Sequence, residues 1–328
     1  MATAKEEEAL PLVLVHRIPN FDFPFKHRLQ AQFRLLDPLD SVLPESTHSF
    51  ISCHAASVRV LLCVDPTPIS RHLLSLLPSL QLIVCSSAGV DHVDLIECRR
   101  RSIAVTNAGK AFSPDVADLA VGLLIDVLRR VSAGDRYVRA GLWARNGEYP
   151  VGFKLGGKRV GIVGLGSIGG EIAKRLESFG CAIAYNSRRK KPSVPFPWYK
   201  AVYDLAINSD VLIVCCALTE ETRHIVNKDV MVALGKEGVI INVGRGALID
   251  EKELVQLLVR GELGGAGLDV FENEPDVPEE LFSLNNVVLS PHCAVTTPEC
   301  FDALEELITA NLKAFFSSKP LLSVVEFD

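Results

Sequence analysis

No Cys-x-x-Cys pair occurs among the nine cysteines, at positions 53, 63, 85, 98, 181, 215, 216, 293 and 300. With an odd count as well, neither a zinc ribbon nor a paired disulfide framework is indicated, and no metal site is expected. Reduced thiols in a cytoplasmic protein are the expectation. Positive charge is not in excess: 34 Lys and Arg stand against 40 Asp and Glu, a net −6. The chain therefore has no general attraction for nucleic acid or an anionic membrane. No apolar run reaches the roughly 18 residues that a membrane span requires. The opening MATAKEEEAL has neither the apolar core of a secretory leader nor the arginines of a transit peptide, and the final Val325-Glu326-Phe327-Asp328 is no peroxisomal address. What is present is apolar material. At 48% hydrophobic and 23% charged over 328 residues, the sequence can bury a sizeable core, on the scale of about two domains.

Short apolar runs at Leu12–Val15, Val58–Cys63, Leu82–Cys85 and Ile103–Val105 are separated by longer mixed segments. A second series follows at Val160–Val163, Ala182–Tyr185, Val211–Cys216, Val239–Val243, Ala266–Val270 and Val287–Leu289. Near-continuous apolar runs are what strands covered on both faces look like, so the alternation predicts an α/β protein with parallel sheets. Between the two series Val116, Leu119, Ala120, Leu123, Leu124, Val127, Leu128 and Val131 recur every three or four residues. That spacing predicts one long amphipathic helix, with Ser113 as N-cap and Pro114 as its first residue. Asp250 and Glu253 have capping-box spacing before a helix that Gly261 should stop, and Thr297-Pro298 should open a last helix running to Phe316. Pro192–Pro197 reads as a surface loop.

The run Val160 to Val163 leads into Gly164-Leu165-Gly166-Ser167-Ile168-Gly169. In a G-x-G-x-x-G turn the first glycine makes the tight turn, the second lets backbone approach a pyrophosphate, and the third lets the following helix pack closely. The helix N-terminus then faces the anion. Glycines at this spacing are weak evidence alone; the strand before them and the helix-and-strand pattern after them point to dinucleotide binding. An acidic residue expected about 20 positions on, to hold a ribose hydroxyl, is missing. The second strand ends instead in Asn186-Ser187-Arg188-Arg189-Lys190-Lys191. A hydroxyl and guanidinium groups suit a 2′-phosphate, so Ser187, Arg188 and Arg189 make NADP(H) the expected cofactor and NAD(H) the weaker alternative. A solvated basic turn is the competing explanation.

Arg245, Glu274 and His292 each follow a predicted strand. The carboxyl edge of an open parallel sheet is where ligands bind, so the three could converge on one nicotinamide. Each could singly be an ordinary surface or structural residue.

At this point the chain resembles the D-isomer-specific 2-hydroxyacid dehydrogenases over nearly its whole length. The matching residues are Ser87-Ala88-Gly89-Val90-Asp91, the glycine turn, Asn242-Val243-Gly244-Arg245-Gly246, Gly267 through Pro275, and Ser290-Pro291-His292. Within the family it looks most like the plant glyoxylate, hydroxypyruvate and hydroxyphenylpyruvate reductases. The resemblance implies two Rossmann-like domains with parallel sheets and an active site in the interdomain cleft. The substrate-binding domain would be discontinuous, 1–107 plus 293–328, around a dinucleotide-binding domain of 108–292. Arg245 would bind the substrate carboxylate and carbonyl, His292 would donate the proton, and Glu274 would hydrogen-bond His292. Ala88 and Gly89 would add backbone N–H groups for the carboxylate. Cys216, Ala217, Val243, Gly244, Arg245 and Asp269 would join the cofactor contacts. A homodimer is implied, with the helix from Ser113 in its interface and Trp143 reaching toward the neighbouring active site. The sequence departs from the family's common pattern at Asp118, Ala217, Cys293 and Ala294. Two other activities use this fold: phosphoglycerate dehydrogenase, which often carries a further regulatory domain, and a non-catalytic, dinucleotide-sensing corepressor. Phe21, Phe23 and Phe25 could line a substrate pocket or pack as core.

Overall fold

A computed structural model describes residues 10–19, 23–41 and 47–326; the opening decapeptide but for Leu10, together with Phe21, Phe327 and Asp328, lies outside them. The chain divides into two compact units, residues 1–112 with 296–328, and residues 113–295.

Among its described residues the first unit holds five parallel strands: β1 (Leu12–His16), β2 (Arg34–Leu36), β3 (Val60–Cys63), β4 (Leu82–Cys85) and β5 (Ala104–Thr106). They lie in the order β2-β1-β3-β4-β5. Every side chain of β3 and β4 is buried, as the continuous Val-Leu-Leu-Cys and Leu-Ile-Val-Cys runs require of central strands covered on both faces. β2 is an addition to the sequence reading. It is a three-residue edge strand with an exposed arginine and two half-buried leucines, too short to show periodicity. Phe23 and Phe25 are buried, with rings 5.1 Å apart at 89°, in the edge-to-face geometry of core aromatics.

The second unit holds seven parallel strands in the order β12-β11-β10-β9-β6-β7-β8. They are β6 (Arg159–Val163), β7 (Ala182–Asn186), β8 (Trp198–Tyr199), β9 (Val211–Val214), β10 (Val239–Asn242), β11 (Gly265–Leu268) and β12 (Val287–Leu289). β9, β10 and β11 are buried along their whole length. The two-residue strand β8 escaped the sequence reading because it follows directly on the proline-rich loop.

Helix ends follow the expected chemistry with two corrections. Asp250 caps Glu251–Val259 by accepting the Glu253 N–H at 3.2 Å, and Gly261 follows at φ +66°. Thr297 caps Pro298–Phe316 by accepting the Cys300 N–H at 3.1 Å. Ser113, however, is already the first helical residue, not the cap. The long helix is also two: Ser113–Arg129 and Val131–Arg139, separated by Arg130 at φ +55°. Asp126 fixes the break by accepting both the backbone N–H, at 2.8 Å, and the hydroxyl of Ser132. Side-chain periodicity runs straight through such a break, so Val131 looked continuous with the helix before it.

Candidate active site

Strand order brings the chemistry-bearing residues of the second unit to the carboxyl edge of its sheet. β6 ends at Val163, and Gly164 follows at φ +102°, where a Cβ would come within 2.5 Å of the Cys216 Cα. A Cβ on Gly169 would meet the Gly164 carbonyl oxygen at 2.2 Å, so the helix Ser167–Ser178 sits hard against the turn. Gly166 is exposed, and a Cβ there would meet nothing within 4 Å. Gly166 is the helix N-cap and has no side chain to cap the first-turn N–H groups, as a pyrophosphate cradle requires. Leu165 is buried beneath, Ser167 is exposed and Ile168 half-buried. Cys216 is half-buried and Ala217 exposed, and the Ala217 carbonyl accepts the Thr222 hydroxyl at 2.8 Å. The shape of this turn fits a dinucleotide, with backbone and not side chains facing the anion.

β7 ends at Asn186, and Arg188, Arg189, Lys190 and Lys191 follow with exposed side chains. The Ser187 hydroxyl donates to the Arg189 carbonyl at 2.7 Å.

β10 ends at Asn242, whose side chain is almost completely buried. Its amide folds the next turn: Nδ2 donates to the Arg245 carbonyl at 2.9 Å, and Oδ1 accepts the Gly244 N–H at 3.1 Å. Val243 is buried in that turn, while Arg245 is half-buried with Nη1 donating to the Gly244 carbonyl at 2.9 Å. A buried amide here holds the turn that carries a guanidinium.

β11 leads to Asp269, which is 1% exposed. Its carboxylate is hydrogen-bonded to the loop after β12. Oδ1 accepts the Ser290 hydroxyl at 2.7 Å and the Cys293 N–H at 2.9 Å, and Oδ2 accepts the Ala294 N–H at 3.2 Å. The Asp269 carbonyl accepts the N–H of His292 at 2.8 Å. His292 lies at φ +50°, a left-handed conformation uncommon for histidine, and these bonds on both sides of it fix the loop that requires it. The motif residues Asp269 and Ser290 were legible in the sequence; that they clamp the histidine loop together was not.

His292 Nδ1 lies 2.7 Å from Glu274 Oε2, and both side chains are a little over one-third exposed. An ionised carboxylate only accepts, so Nδ1 carries the hydrogen and Nε2 is left for a ligand. Glu274 Oε1 accepts the Phe271 N–H at 3.0 Å. Burial pushes the Glu274 carboxyl up, but the His292 hydrogen bond, the Phe271 N–H and the positive charges of His292 and Arg245 outweigh it and hold the group below the usual carboxylate range. The Glu274 carboxylate thus lies in the field of both His292 and Arg245.

A second histidine, from the segment after β9, bonds to the neighbouring Glu272. His224 Nε2 lies 2.9 Å from Glu272 Oε1, which also accepts from Arg223 at 3.0 Å, and the Glu272 N–H donates to the buried Glu251 carboxylate at 3.0 Å. Burial raises the Glu251 carboxyl. These residues brace the Phe271–Glu274 turn, and nothing in the spacing of the sequence pointed to them.

Ala88 and Gly89 belong to the first unit, in the loop after β4. Asn107 Nδ2 donates to the Ala88 carbonyl at 2.8 Å, and the Ser87 hydroxyl donates to the Gly89 carbonyl at 2.7 Å. Trp143 lies on the short helix Leu142–Asn146 of the second unit and is 64% exposed. Among the described residues no group of His, Cys, Asp and Glu is arranged to hold a metal ion.

Comparison with known proteins adds four likenesses. The family model for the NAD binding domain of D-isomer specific 2-hydroxyacid dehydrogenases matches residues 121–294. A glyoxylate/hydroxypyruvate reductase of Arabidopsis thaliana is 58% identical over 323 residues, covering 98% of this chain and 99% of that protein. A hydroxyphenylpyruvate reductase of Plectranthus scutellarioides is 49% identical over 276 residues, covering 84% of this chain and 88% of the other. Among solved structures, an NADPH-dependent glyoxylate/hydroxypyruvate reductase of Sinorhizobium meliloti, in complex with NADP and malonate, superposes with a TM-score of 0.87 at 37% identity, covering 96% of both chains.

Proposed function

The chain belongs to the D-isomer specific 2-hydroxyacid dehydrogenases, and from this we propose that it reduces small 2-oxo acids to D-2-hydroxy acids with NADPH. Glyoxylate and hydroxypyruvate are the substrates, giving glycolate and D-glycerate, with hydroxyphenylpyruvate as a bulkier one and NAD(H) as a weaker cofactor. The hydrogen-bonded pair of His292 and Glu274, in the field of Arg245, carries the reading. The unit of residues 113–295 holds the dinucleotide on the glycine turn.

NADPH, when bound, supplies a hydride to the 2-oxo carbon. The chain's own groups manage the charge that results. Arg245 binds the carboxylate through charge-assisted hydrogen bonds and draws electron density from the carbonyl. His292 enters protonated, with Nδ1–H held by Glu274, and gives its Nε2 proton to the oxygen on which negative charge develops. Glu274 holds the ring oriented until that transfer.

The protein acts as a homodimer. Val131, Val138, Trp143 and Val151 are each more than half exposed within one stretch of the second unit, a density of apolar surface that suits a partner chain. Nine free thiols suit a reducing compartment, the cytoplasm. No helix is long and apolar enough to cross a membrane among the described residues.

Steady-state turnover with glyoxylate, hydroxypyruvate and hydroxyphenylpyruvate, each with NADPH and NADH, tests the reading. Reduction of both small acids with NADPH is the expected result. Turnover of the aromatic acid alone would show the substrate assignment to be wrong.

A further inference from the structure

Tyr185 is the largest fully buried side chain of the described residues, one position before the end of β7. A phenylalanine would fill the same space without a hydroxyl to satisfy. The hydroxyl is used: it accepts the N–H of Lys191 at 2.8 Å, six residues further on. In register with Tyr185 on the neighbouring strand stands Trp198. Its indole Nε1 donates to the Ser187 carbonyl at 3.1 Å. Between these two pins the Ser187 hydroxyl donates to the Arg189 carbonyl. At the base, Asn186 Nδ2 donates to the carbonyls of Tyr199 and Lys200, both at 3.0 Å.

The first and last residues of Ser187–Lys191 are therefore tied to the sheet, and the middle is tied to the first. Four consecutive cations, Arg188 to Lys191, lie on this short segment and repel one another. We propose that Tyr185 and Trp198 are positioning residues that hold this segment in the shape that receives the adenosine 2′-phosphate of NADPH, and so set the preference between the two nicotinamide cofactors. The inference rests on the NADPH reading given above. A segment already ordered does not lose that freedom on binding, and the gain goes to the ligand that uses it. Only a nucleotide with a 2′-phosphate makes that use, because a ribose hydroxyl offers the guanidinium groups no charge.

The test uses the whole enzyme and the variants Tyr185→Phe and Trp198→Phe. Calorimetric binding of 2′,5′-ADP and of 5′-AMP is measured beside the KM values for NADPH and NADH. Each variant should weaken 2′,5′-ADP and raise the NADPH KM about fivefold, as expected for one lost, partly buried hydrogen bond. Binding of 5′-AMP, the NADH KM and kcat should stay within about twofold, since the glycine turn and the catalytic groups are untouched. Equal losses for both nucleotides, or no loss for either, overturn the inference. If the unaltered enzyme itself binds 2′,5′-ADP no better than 5′-AMP, the NADPH reading falls and this inference with it; if it discriminates and the variants discriminate equally, only the inference falls. Should Tyr185→Phe melt too low for measurement, the half-buried Trp198 carries the decision through Trp198→Phe.

Discussion

The two units share one sheet architecture and differ at the edge where their strands end. In the first, β3 ends in Cys63, whose thiol donates to the carbonyls of Asp65 and Thr67 at 3.4 Å, and the Ser86 hydroxyl after β4 accepts the Asp65 N–H at 2.7 Å. Those polar groups close the edge on itself, and Phe23 and Phe25 of the same unit are buried against each other. In the second, Asn242 and Asp269 close the backbone in the same way but leave Arg245, Glu274 and His292 only partly buried. The apolar runs that build a parallel sheet are alike in both units. What differs is which side chains beyond the strands are left over once the backbone is satisfied, and chemistry belongs to that remainder.

The sharpest way to break this contrast is to treat the aromatic pair as if it were a pocket. Phe25→Ala should lower stability by about 3–5 kcal/mol, the cost of emptying a buried aromatic site, without changing the ratio of kcat/KM for glyoxylate to that for hydroxyphenylpyruvate. Chemical denaturation and steady-state kinetics on the same preparation check it. A shifted substrate ratio at unchanged stability would move the aromatic pair from core to specificity.

His292→Ala probes the other unit. Turnover should fall roughly a hundredfold or more, as for loss of a general acid, while nucleotide binding is nearly unchanged because the glycine turn lies on a different strand. A matching fall in nucleotide affinity would mean that the histidine loop supports the cradle as well.

A smaller effect should come from Glu274→Gln. Its carboxyl is held below the usual carboxylate range, so the charged hydrogen bond to His292 Nδ1 persists as pH falls until that lowered range is reached. With a neutral amide that bond loses its charge and its hold on the ring, and kcat should fall about tenfold, as for one charge-assisted hydrogen bond, with nucleotide binding unchanged. An unaltered kcat would reject the pair as a source of turnover.

Much of this was legible because it is local. The apolar runs marked the sheets, the glycine turn marked the cradle, and Arg245, Glu274 and His292 stood out as polar residues after strands. Less legible was anything decided across the fold. Arg130 breaks a helix whose periodicity is intact, and it does so with Asp126 and Ser132, whose pairing no spacing announces. β2 and β8 are edge pieces defined by their neighbours. The Asp269 motif stood out in the sequence, but not the bonds of its carboxylate to the loop after the next strand, at Ser290, Cys293 and Ala294.

That arrangement at Asp269 also sets a timescale. A side chain at the tip of an open loop wanders over nanoseconds to microseconds. His292 is not so placed: its own N–H and those of the next two residues end on one aspartate at the end of a central strand, with Glu274 holding the ring. The ring therefore belongs to a part of the molecule that opens with the sheet. Heat should not detach His292 as a separate, earlier event; the histidine is lost when β11 is lost.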